Sequence, residues 1–275
     1  MNNYDLIAFD MDGTILTSNQ TVSVHVQEAI AKAKEKGKTV IICTGRAPKE
    51  LTEYDKVEFE NIRYYVCENG ALIYDSQEEK VISARCIPEH LVRQVLEAAK
   101  KEDCMVVMAC SGQNTLSEKD AVRMEYFHAE RYKKLELLTG KLLEDIIESY
   151  MENPVPVEKI NVYSASVEIR DRIMEHLKDL PITMVYAEET GFEVTQLHMS
   201  KAVGFTELCE YLKIPVERAI AVGDSDNDVE MLKVAGLSVA MGNAFDHVKE
   251  ICHITVSDND HDGCAEVIEK YLLNE

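Results

Sequence analysis

The stretch Leu6-Ile7-Ala8-Phe9-Asp10-Met11-Asp12-Gly13-Thr14 joins four apolar residues to a short polar loop that carries two carboxylates. Four consecutive apolar residues with polar neighbours are typical of a strand buried on both faces, as in a parallel sheet. The carboxyl ends of parallel strands share one edge of a sheet, and ligands bind in the crevice there. The stretch therefore predicts a buried strand that delivers Asp10 and Asp12 to a ligand-binding edge.

Two further apolar runs end in the same way. Thr39–Cys43 is followed by Thr44-Gly45-Arg46, and Ala219–Val222 is followed by Gly223-Asp224-Ser225-Asp226-Asn227-Asp228. If all three runs are strands of one parallel sheet, their loops meet at a common edge although the first and the last are more than 200 positions apart. We expect these loops to line one pocket.

Strand and helix patterns alternate along the chain, which predicts an α/β fold with a Rossmann-like parallel-sheet core. Between residues 82 and 190 the pattern of predicted strands and helices changes, and we expect a separate α+β domain inserted into the core there. The predicted domains are therefore residues 1–81 (core), 82–190 (insertion) and 191–275 (core). Within the insertion, the pattern predicts a helix around Lys141 to Tyr150 that ends before the breaker cluster Asn153-Pro154-Val155-Pro156.

Composition limits the classes of partner. The 275 residues include 29 Lys and Arg against 50 Asp and Glu, for a formal net charge of -21, and no dense basic run offsets it. Such a chain repels phosphate backbones, so we expect no nucleic-acid partner. No apolar run is long enough to span a bilayer, and the first residues lack the pattern of a signal peptide. We expect a cytoplasmic protein without a membrane partner, as a monomer or a small homo-oligomer.

The predicted pocket would gather four carboxylates, from Asp10, Asp12, Asp224 and Asp228. Like charges within a few ångströms raise each other's pKa steeply unless a cation neutralises them. Clustered carboxylate oxygens suit Mg²⁺, which takes one or two carboxylates together with waters and substrate phosphate. The residues therefore predict a Mg²⁺ site that opens onto an anionic ligand.

A phosphate ligand also needs hydrogen-bond donors. Lys201 lies at the start of a predicted helix with Ser200 at the N-cap, so an ammonium group and the positive end of a helix could meet one anion. Thr44 offers a hydroxyl, and Gly45 allows close approach of the backbone. Together these residues predict a phosphoryl-transfer site without a P-loop. The partner of Arg46, either a carboxylate of the inserted domain or the substrate, stays open.

At these residues the chain resembles the haloacid dehalogenase superfamily, and within it the Cof-type hydrolases, which carry a large cap between their second and third motifs. The sequence D-M-D-G-T at Asp10 to Thr14 is similar to the first motif and T-G-R at Thr44 to Arg46 to the second. Lys201 matches the third motif and G-D-S-D-N-D at Gly223 to Asp228 the fourth. Two loops, E-N-G-A at residues 68–71 and M-G-N-A at 241–244, also resemble this subgroup.

The resemblance implies a role for each motif residue. Asp10 would attack phosphorus and form an aspartyl-phosphate, and Asp12 would act as general acid and then general base. Mg²⁺ would be held by the Asp10 carboxylate, the Asp12 backbone carbonyl and Asp224, with Asn227 and Asp228 orienting these ligands. Phosphate or substrate would be bound by the remaining residues: Thr44, Gly45, Lys201, Asn69 and Asn243.

The function implied is a Mg²⁺-dependent phosphatase for small phosphorylated metabolites, such as sugar phosphates. The resemblance also implies that residues of the cap select the substrate. Two alternatives remain open at this stage. One is a phosphomutase or phosphotransferase on the same core, and the other is a protein that binds a phosphorylated ligand without turnover.

Overall fold

A computed structural model of the chain describes residues 4–52, 54 and 57–274. Its strands, numbered in chain order, are β1 (Leu6–Phe9), β2 (Thr39–Cys43), β3 (Tyr64–Cys67), β4 (Leu72–Asp75), β5 (Lys80–Ala84), β6 (Cys104–Cys110), β7 (Gln113–Ser117), β8 (Lys141–Leu143), β9 (Lys159–Ser164), β10 (Ile182–Ala187), β11 (Gly191–Gln196), β12 (Ala219–Gly223), β13 (Leu237–Ala240) and β14 (Ile254–Thr255).

The α-helices are numbered in the same way. They are α1 (Val24–Glu35), α2 (Pro48–Leu51), α3 (Glu89–Ala99), α4 (Glu118–Ala121), α5 (Lys133–Thr139), α6 (Ile146–Glu152), α7 (Val167–Leu177), α8 (Lys201–Leu212), α9 (Val229–Val234), α10 (Asp246–Ile251) and α11 (Gly263–Val267). Across the described part of the chain, none of these helices combines the length and the apolar composition that crossing a membrane requires.

The chain divides into two compact units. The first unit comprises residues 1–46, 51–83 and 200–275, and the second comprises 47–50 and 84–199. The predicted boundary after residue 190 differs from this division, because it separates β10 from β11, which pair as an antiparallel hairpin in the second unit. A two-residue period cannot by itself show which neighbouring strand a segment pairs with.

The first unit is built on an eight-stranded sheet in the order β14-β13-β12-β1-β2-β3-β4-β5. The strands from β14 to β3 pair in parallel, and β4 pairs antiparallel to β3. All four residues of β1 are buried, as expected for a strand covered on both faces. The predicted α/β core is therefore confirmed.

Helix α1 shows why the pattern of the sequence specifies this packing. Its buried residues are Val26, Ala29, Ile30 and Ala33, which recur at the three- and four-residue spacing of one helix face. The helix begins after Ser23, whose side chain accepts a hydrogen bond from the Val26 amide. Its cap thus satisfies one of the amides that a helix start leaves without an intrahelical acceptor.

The second unit contains a six-stranded sheet in the order β10-β11-β9-β6-β7-β8, antiparallel except for the β7–β8 pair. Helices α3 and α7 bury one face of this sheet. Residues from the segment 118–139, including Met124 and Phe127, cover part of the other face over Met105 and Val107.

The helix predicted around Lys141 to Tyr150 is wrong in its first part. Residues Lys141–Leu143 form β8, which pairs in parallel with β7. Helix α6 begins only at Ile146, because the side chain of Asp145 caps it by accepting hydrogen bonds from the amides of Ile147 and Glu148. The strand is three residues long, too short for its period to be distinguished from a helical one.

Candidate active site

Polar side chains lie close together where three neighbouring strands of the first unit end. Strand β1 lies between β12 and β2, and Phe9, its last residue, is in register with Val222 and Ile42. The loops that carry Asp10, Thr44 and Asp224 therefore leave the sheet side by side. The common edge expected from the apolar runs exists in the structure.

Lys201 lies in the first turn of α8 and is almost completely buried. Its ammonium nitrogen is 2.5 Å from Oδ1 of Asp10 and 2.8 Å from Oδ1 of Asp228. Burial alone would lower the pKa of Lys201, but the charges of Asp10 and Asp228 outweigh it and raise the pKa above its usual value. The lysine is therefore charged and bridges two carboxylates from different loops.

Three carboxyl groups surround this one ammonium. One oxygen each from Asp10, Asp224 and Asp228 lies within 4.8 Å of the others. Burial, with the charge of Asp228, raises the pKa of Asp10 well above its usual value even though Lys201 opposes the shift. Burial also raises the pKa of Asp224 to about 6, and the charge of Asp228 adds to it. The cluster thus carries an excess of negative charge.

The donor set of this cluster fits a hard divalent cation. All three side chains offer carboxylate oxygens, which Mg²⁺ prefers, and a cation would relieve the repulsion that raises the carboxyl pKa values. The hydroxyl of Thr14 donates to Oδ1 of Asp224 at 2.8 Å and fixes that carboxylate. The residues present can therefore hold a metal ion.

Both oxygens of Asp228 are already engaged by protein groups. Oδ1 accepts from Lys201, and Oδ2 accepts the backbone amides of Asp224 at 3.0 Å and Ser225 at 3.2 Å. These bonds hold the loop after β12 in place around the cluster. Asn227, on the same loop, donates from its side-chain amide to Oδ1 of Asn69 at 3.3 Å.

The side chain of Asp12 is held by Arg46. Nε of Arg46 donates to one carboxylate oxygen at 2.9 Å and Nη2 to the other at 2.5 Å, an arrangement in which the guanidinium binds both oxygens. Arg46 also donates to the side-chain oxygen of Gln20. Arg46 therefore binds a carboxylate of the loop after β1, a partner outside the two alternatives that the sequence left open.

Thr44 organises the loop after β2. Its hydroxyl accepts the backbone amide of Arg46 at 3.1 Å, and its carbonyl accepts the amide of Asn69 at 3.1 Å. Gly45 leaves room for the Asn69 carboxamide, since a Cβ on this residue would lie 3.3 Å from Oδ1 of Asn69. Thr44, Gly45 and Asn69 thus form one connected segment beside the carboxylates.

The side chain of Asn243 connects two loops of the first unit. Its side-chain amide donates to the carbonyl of Gly13 at 2.8 Å, and its Oδ1 accepts the backbone amide of Asn259. It therefore holds the loop after β1. Sequence reasoning missed this use, and it assigned no role to Thr14, because both contacts join segments more than 200 positions apart.

Comparison with known proteins places this geometry in context. The sequence profile of the haloacid dehalogenase-like hydrolases matches residues 7–268. Two phosphatases of Bacillus subtilis, both named for 5-amino-6-(5-phospho-D-ribitylamino)uracil, are similar over their lengths. YitU is 29% identical to this chain over 97% of this chain and 97% of the YitU chain. YcsE is 30% identical over 98% of this chain and 96% of the YcsE chain.

A solved structure supports the fold. The crystal structure of a haloacid dehalogenase-like hydrolase from Bacteroides thetaiotaomicron superimposes with a TM-score of 0.83, covering 98% of this chain and 99% of that chain at 23% identity. The similarity extends over both units of the chain.

Proposed function

Because the chain belongs to the haloacid dehalogenase-like hydrolases and is a phosphatase of that family, we propose that it hydrolyses small phosphate monoesters with Mg²⁺ through an aspartyl-phosphate on Asp10. Two relatives are named for a phosphorylated ribitylamino compound, and this supports a small phosphorylated metabolite as the substrate class.

The observation that carries the proposal is the buried group formed by Asp10, Lys201 and Asp228. A buried ammonium between two carboxylates costs desolvation energy, and a hydrophobic trio of the same volume would often be more stable. This costly arrangement is explained if Asp10 is the reacting group and Lys201 then stabilises the negative charge of a phosphoryl group. Perturbed, buried titratable groups at a strand edge are typical of such sites.

In the first step, the Asp10 carboxylate attacks phosphorus while the bond from phosphorus to the ester oxygen breaks. Lys201 and the Thr44 hydroxyl stabilise charge on the transferring group. Asp12 gives its proton to the departing oxygen, so the leaving group departs as an alcohol. Because Arg46 binds both Asp12 oxygens in the structure, this pair must open before the carboxyl group can donate.

In the second step, Asp12 accepts a proton from a water molecule that attacks the aspartyl-phosphate. The acyl-phosphate bond breaks, inorganic phosphate leaves and the Asp10 carboxylate is restored. Asn69 lies beside Thr44 and we assign it to binding the phosphate. We propose the same binding role for Asn243, whose side chain also holds the loop after β1 through Gly13 and Asn259.

Mg²⁺ would be held by the carboxylates of Asp10 and Asp224 together with the Asp12 backbone carbonyl, and when bound it would neutralise charge on the phosphoryl oxygens. Asp228 and Asn227 keep these ligands in place through the contacts described above.

The experiment that tests the proposal measures phosphate release from a panel of sugar phosphates, nucleotides and pyridoxal phosphate, with Mg²⁺ and with EDTA. We expect release that requires Mg²⁺ and falls by at least about 10⁴-fold in Asp10→Asn, because the nearly isosteric amide is not a nucleophile. Circular dichroism checks that the variant is folded.

Four outcomes would contradict the proposal. Full activity of Asp10→Asn would remove the nucleophile, and full activity in EDTA would remove the metal. Transfer of phosphate to a second sugar hydroxyl in preference to water would indicate a mutase. A ligand-induced rise in Tm without any phosphate release would indicate a binding protein that does not turn over.

A further inference from the structure

Two hydrogen bonds connect the start of α11 to Asp224 through one residue of the loop after β1. The thiol of Cys264 donates to the backbone carbonyl of Thr14, with 3.3 Å between sulfur and oxygen. The hydroxyl of the same Thr14 donates to Oδ1 of Asp224 at 2.8 Å. We call Cys264, Thr14 and Asp224 the hydrogen-bonded chain. All three residues belong to the first unit, although they are distant in sequence.

The inner part of the hydrogen-bonded chain is shielded from solvent. Thr14 is 1% exposed and Cys264 is 2% exposed, so water cannot readily replace either side chain. A hydroxyl carries a single proton and donates to one acceptor at a time, and the Thr14 hydroxyl donates to Asp224. Removing this hydroxyl would therefore remove one restraint on the rotation of the Asp224 carboxylate.

Gly13 restricts the other oxygen of Asp224. A Cβ on Gly13 would lie 2.7 Å from Oδ2, so this oxygen lies against the glycine backbone. The main chain of Asp224 is held as well, because its amide donates to Oδ2 of Asp228 and its carbonyl accepts the amide of Phe245 at 3.1 Å. The loop after β1 thus fixes the orientation of the carboxylate, while other contacts fix the backbone that carries it.

Cys264 in turn holds the backbone of Thr14. Burial raises the pKa of the Cys264 thiol well above its usual value, so the sulfur keeps its proton and can donate. The preceding residue, Gly263, packs closely against another backbone segment, since a Cβ there would lie 2.1 Å from the carbonyl oxygen of Ser257. This close approach gives the start of α11, and with it the thiol, a defined position.

A metal ligand binds best when its orientation is set before the metal arrives. Groups that hydrogen-bond to the ligands of a metal supply this orientation, and the loss of such a group typically weakens metal affinity by about 10- to 100-fold. Mg²⁺ demands near-ideal octahedral geometry and is therefore sensitive to the rotation of a ligand. The bond from Thr14 to Asp224 is a contact of this kind.

We propose that Thr14 positions the Asp224 carboxylate for the metal ion and that Cys264 positions Thr14. The inference rests on the proposed function in one respect, which is that Asp224 holds Mg²⁺. It assigns part of the metal affinity to two residues that neither bind the metal nor react with the substrate. Thr14 has the larger effect, because it contacts Asp224 directly, whereas Cys264 acts through Thr14 and a thiol is a weak donor.

The test measures the binding of Mn²⁺ to the protein without substrate, after treatment with EDTA and dialysis. Mn²⁺ prefers the same oxygen ligands as Mg²⁺, and its electron paramagnetic resonance signal reports the concentration of the free ion. We expect Thr14→Val to raise Kd by about 10- to 100-fold, because valine has the shape of threonine but lacks the hydroxyl. Thr14→Ser keeps the hydroxyl and should bind within about 3-fold of the wild type.

Two variants test the contribution of the thiol. Cys264→Ala removes the donor and should raise Kd by about 3- to 10-fold, whereas Cys264→Ser keeps a donor and should stay within about 2-fold of the wild type. The control Thr190→Val also removes the hydroxyl of a buried threonine, one that lies in the second unit and lacks a hydrogen-bond partner within the described chain. Its Kd should equal that of the wild type.

A purely structural role for Thr14 gives a different pattern. Thr14→Val would then lower the free energy of unfolding in urea, yet the folded variant, checked by circular dichroism, would bind Mn²⁺ as the wild type does. That result would refute the inference. An equal loss of affinity in Thr14→Ser and Thr14→Val would also refute it, because the hydroxyl would not be the cause. Wild-type affinity in Cys264→Ala would refute the role of Cys264.

Failure of the proposed function can be told apart from failure of the inference. A wild type that does not bind Mn²⁺ would refute both. A wild type that binds Mn²⁺ but releases phosphate from no ester would contradict the proposed function alone, and a higher Kd in Thr14→Val would still support the inference.

Discussion

The buried carboxyl group of Glu136 predicts how the stability of this protein depends on pH. Burial raises its pKa to about 8 in the folded chain, against 4.5 for an ordinary glutamate. The folded state therefore holds this proton to higher pH than the unfolded state does. The contribution of Glu136 to stability is constant below pH 4.5, falls as the pH rises from 4.5 to 8, and is at its minimum above 8.

The substitution Glu136→Gln removes this ionisation together with the repulsion between Glu136 and Glu50. The Gln carbonyl can accept from Asn114 as the carboxyl oxygen does, and the Gln amide has nearly the shape of the protonated acid but cannot ionise. Each pKa unit corresponds to about 1.4 kcal/mol, so the difference in pKa amounts to about 5 kcal/mol at full ionisation. We expect the variant to match the wild type near pH 4.5, to be more stable by about 3 kcal/mol at pH 7, and by about 5 kcal/mol at pH 9.

Urea unfolding followed by circular dichroism at pH 5, 7 and 9 measures this difference. Glu144→Gln, at an exposed position of the second unit, serves as the control for the loss of one carboxylate. If the free energy of unfolding changes with pH in the same way for the wild type and for Glu136→Gln, the reasoning is refuted. They would show that Glu136 is ionised in the folded state, with the charge of Lys159 outweighing the cost of burial.

Two further substitutions test the first unit. Lys201→Met should leave two buried carboxylates without their cation. We expect the free energy of unfolding, measured by denaturant titration, to fall by about 3–5 kcal/mol and kcat to fall by at least about 10²-fold. A variant as stable as the wild type would contradict the assigned ion pairs. Gly13→Ala should cost about 1–3 kcal/mol and reduce kcat, because Gly13 has φ +82° and a Cβ would lie 2.7 Å from Oδ2 of Asp224. Gly37→Ala has a similar φ of +73° but an open Cβ position, so an equal loss in both variants would exclude the contact with Asp224 as the cause.

The core fold could be predicted because its signals are local. Leu6–Phe9 is apolar at every position, and a strand buried on both faces has that pattern wherever it occurs in the chain. Helix α1 presents Val26, Ala29, Ile30 and Ala33 on one side, and the spacing alone shows which face is buried. The segment Lys141–Leu143 could not be assigned in this way, since three residues are too few to define a period.

The motif residues were also predicted from local pattern, because each follows a strand or begins a helix. Their catalytic roles remain predictions that the experiments above test. The structure adds that Asp10, Asp224 and Lys201 lie in one buried group. That proximity follows from the parallel order of the sheet, which places β1 between β12 and β2.

The sequence by itself determined the α/β class, the family and the strand ends that carry the motif residues, because these depend on hydrophobic period and on short motifs. Only the tertiary structure decided which polar atoms meet. The contacts of Arg46 with Asp12, Asn243 with Gly13, and Cys264 with Thr14 depend on strand register and on the packing of segments distant in sequence. A hydrogen bond requires two atoms within about 3 Å of each other, and a pattern of residue types along the chain does not specify that distance.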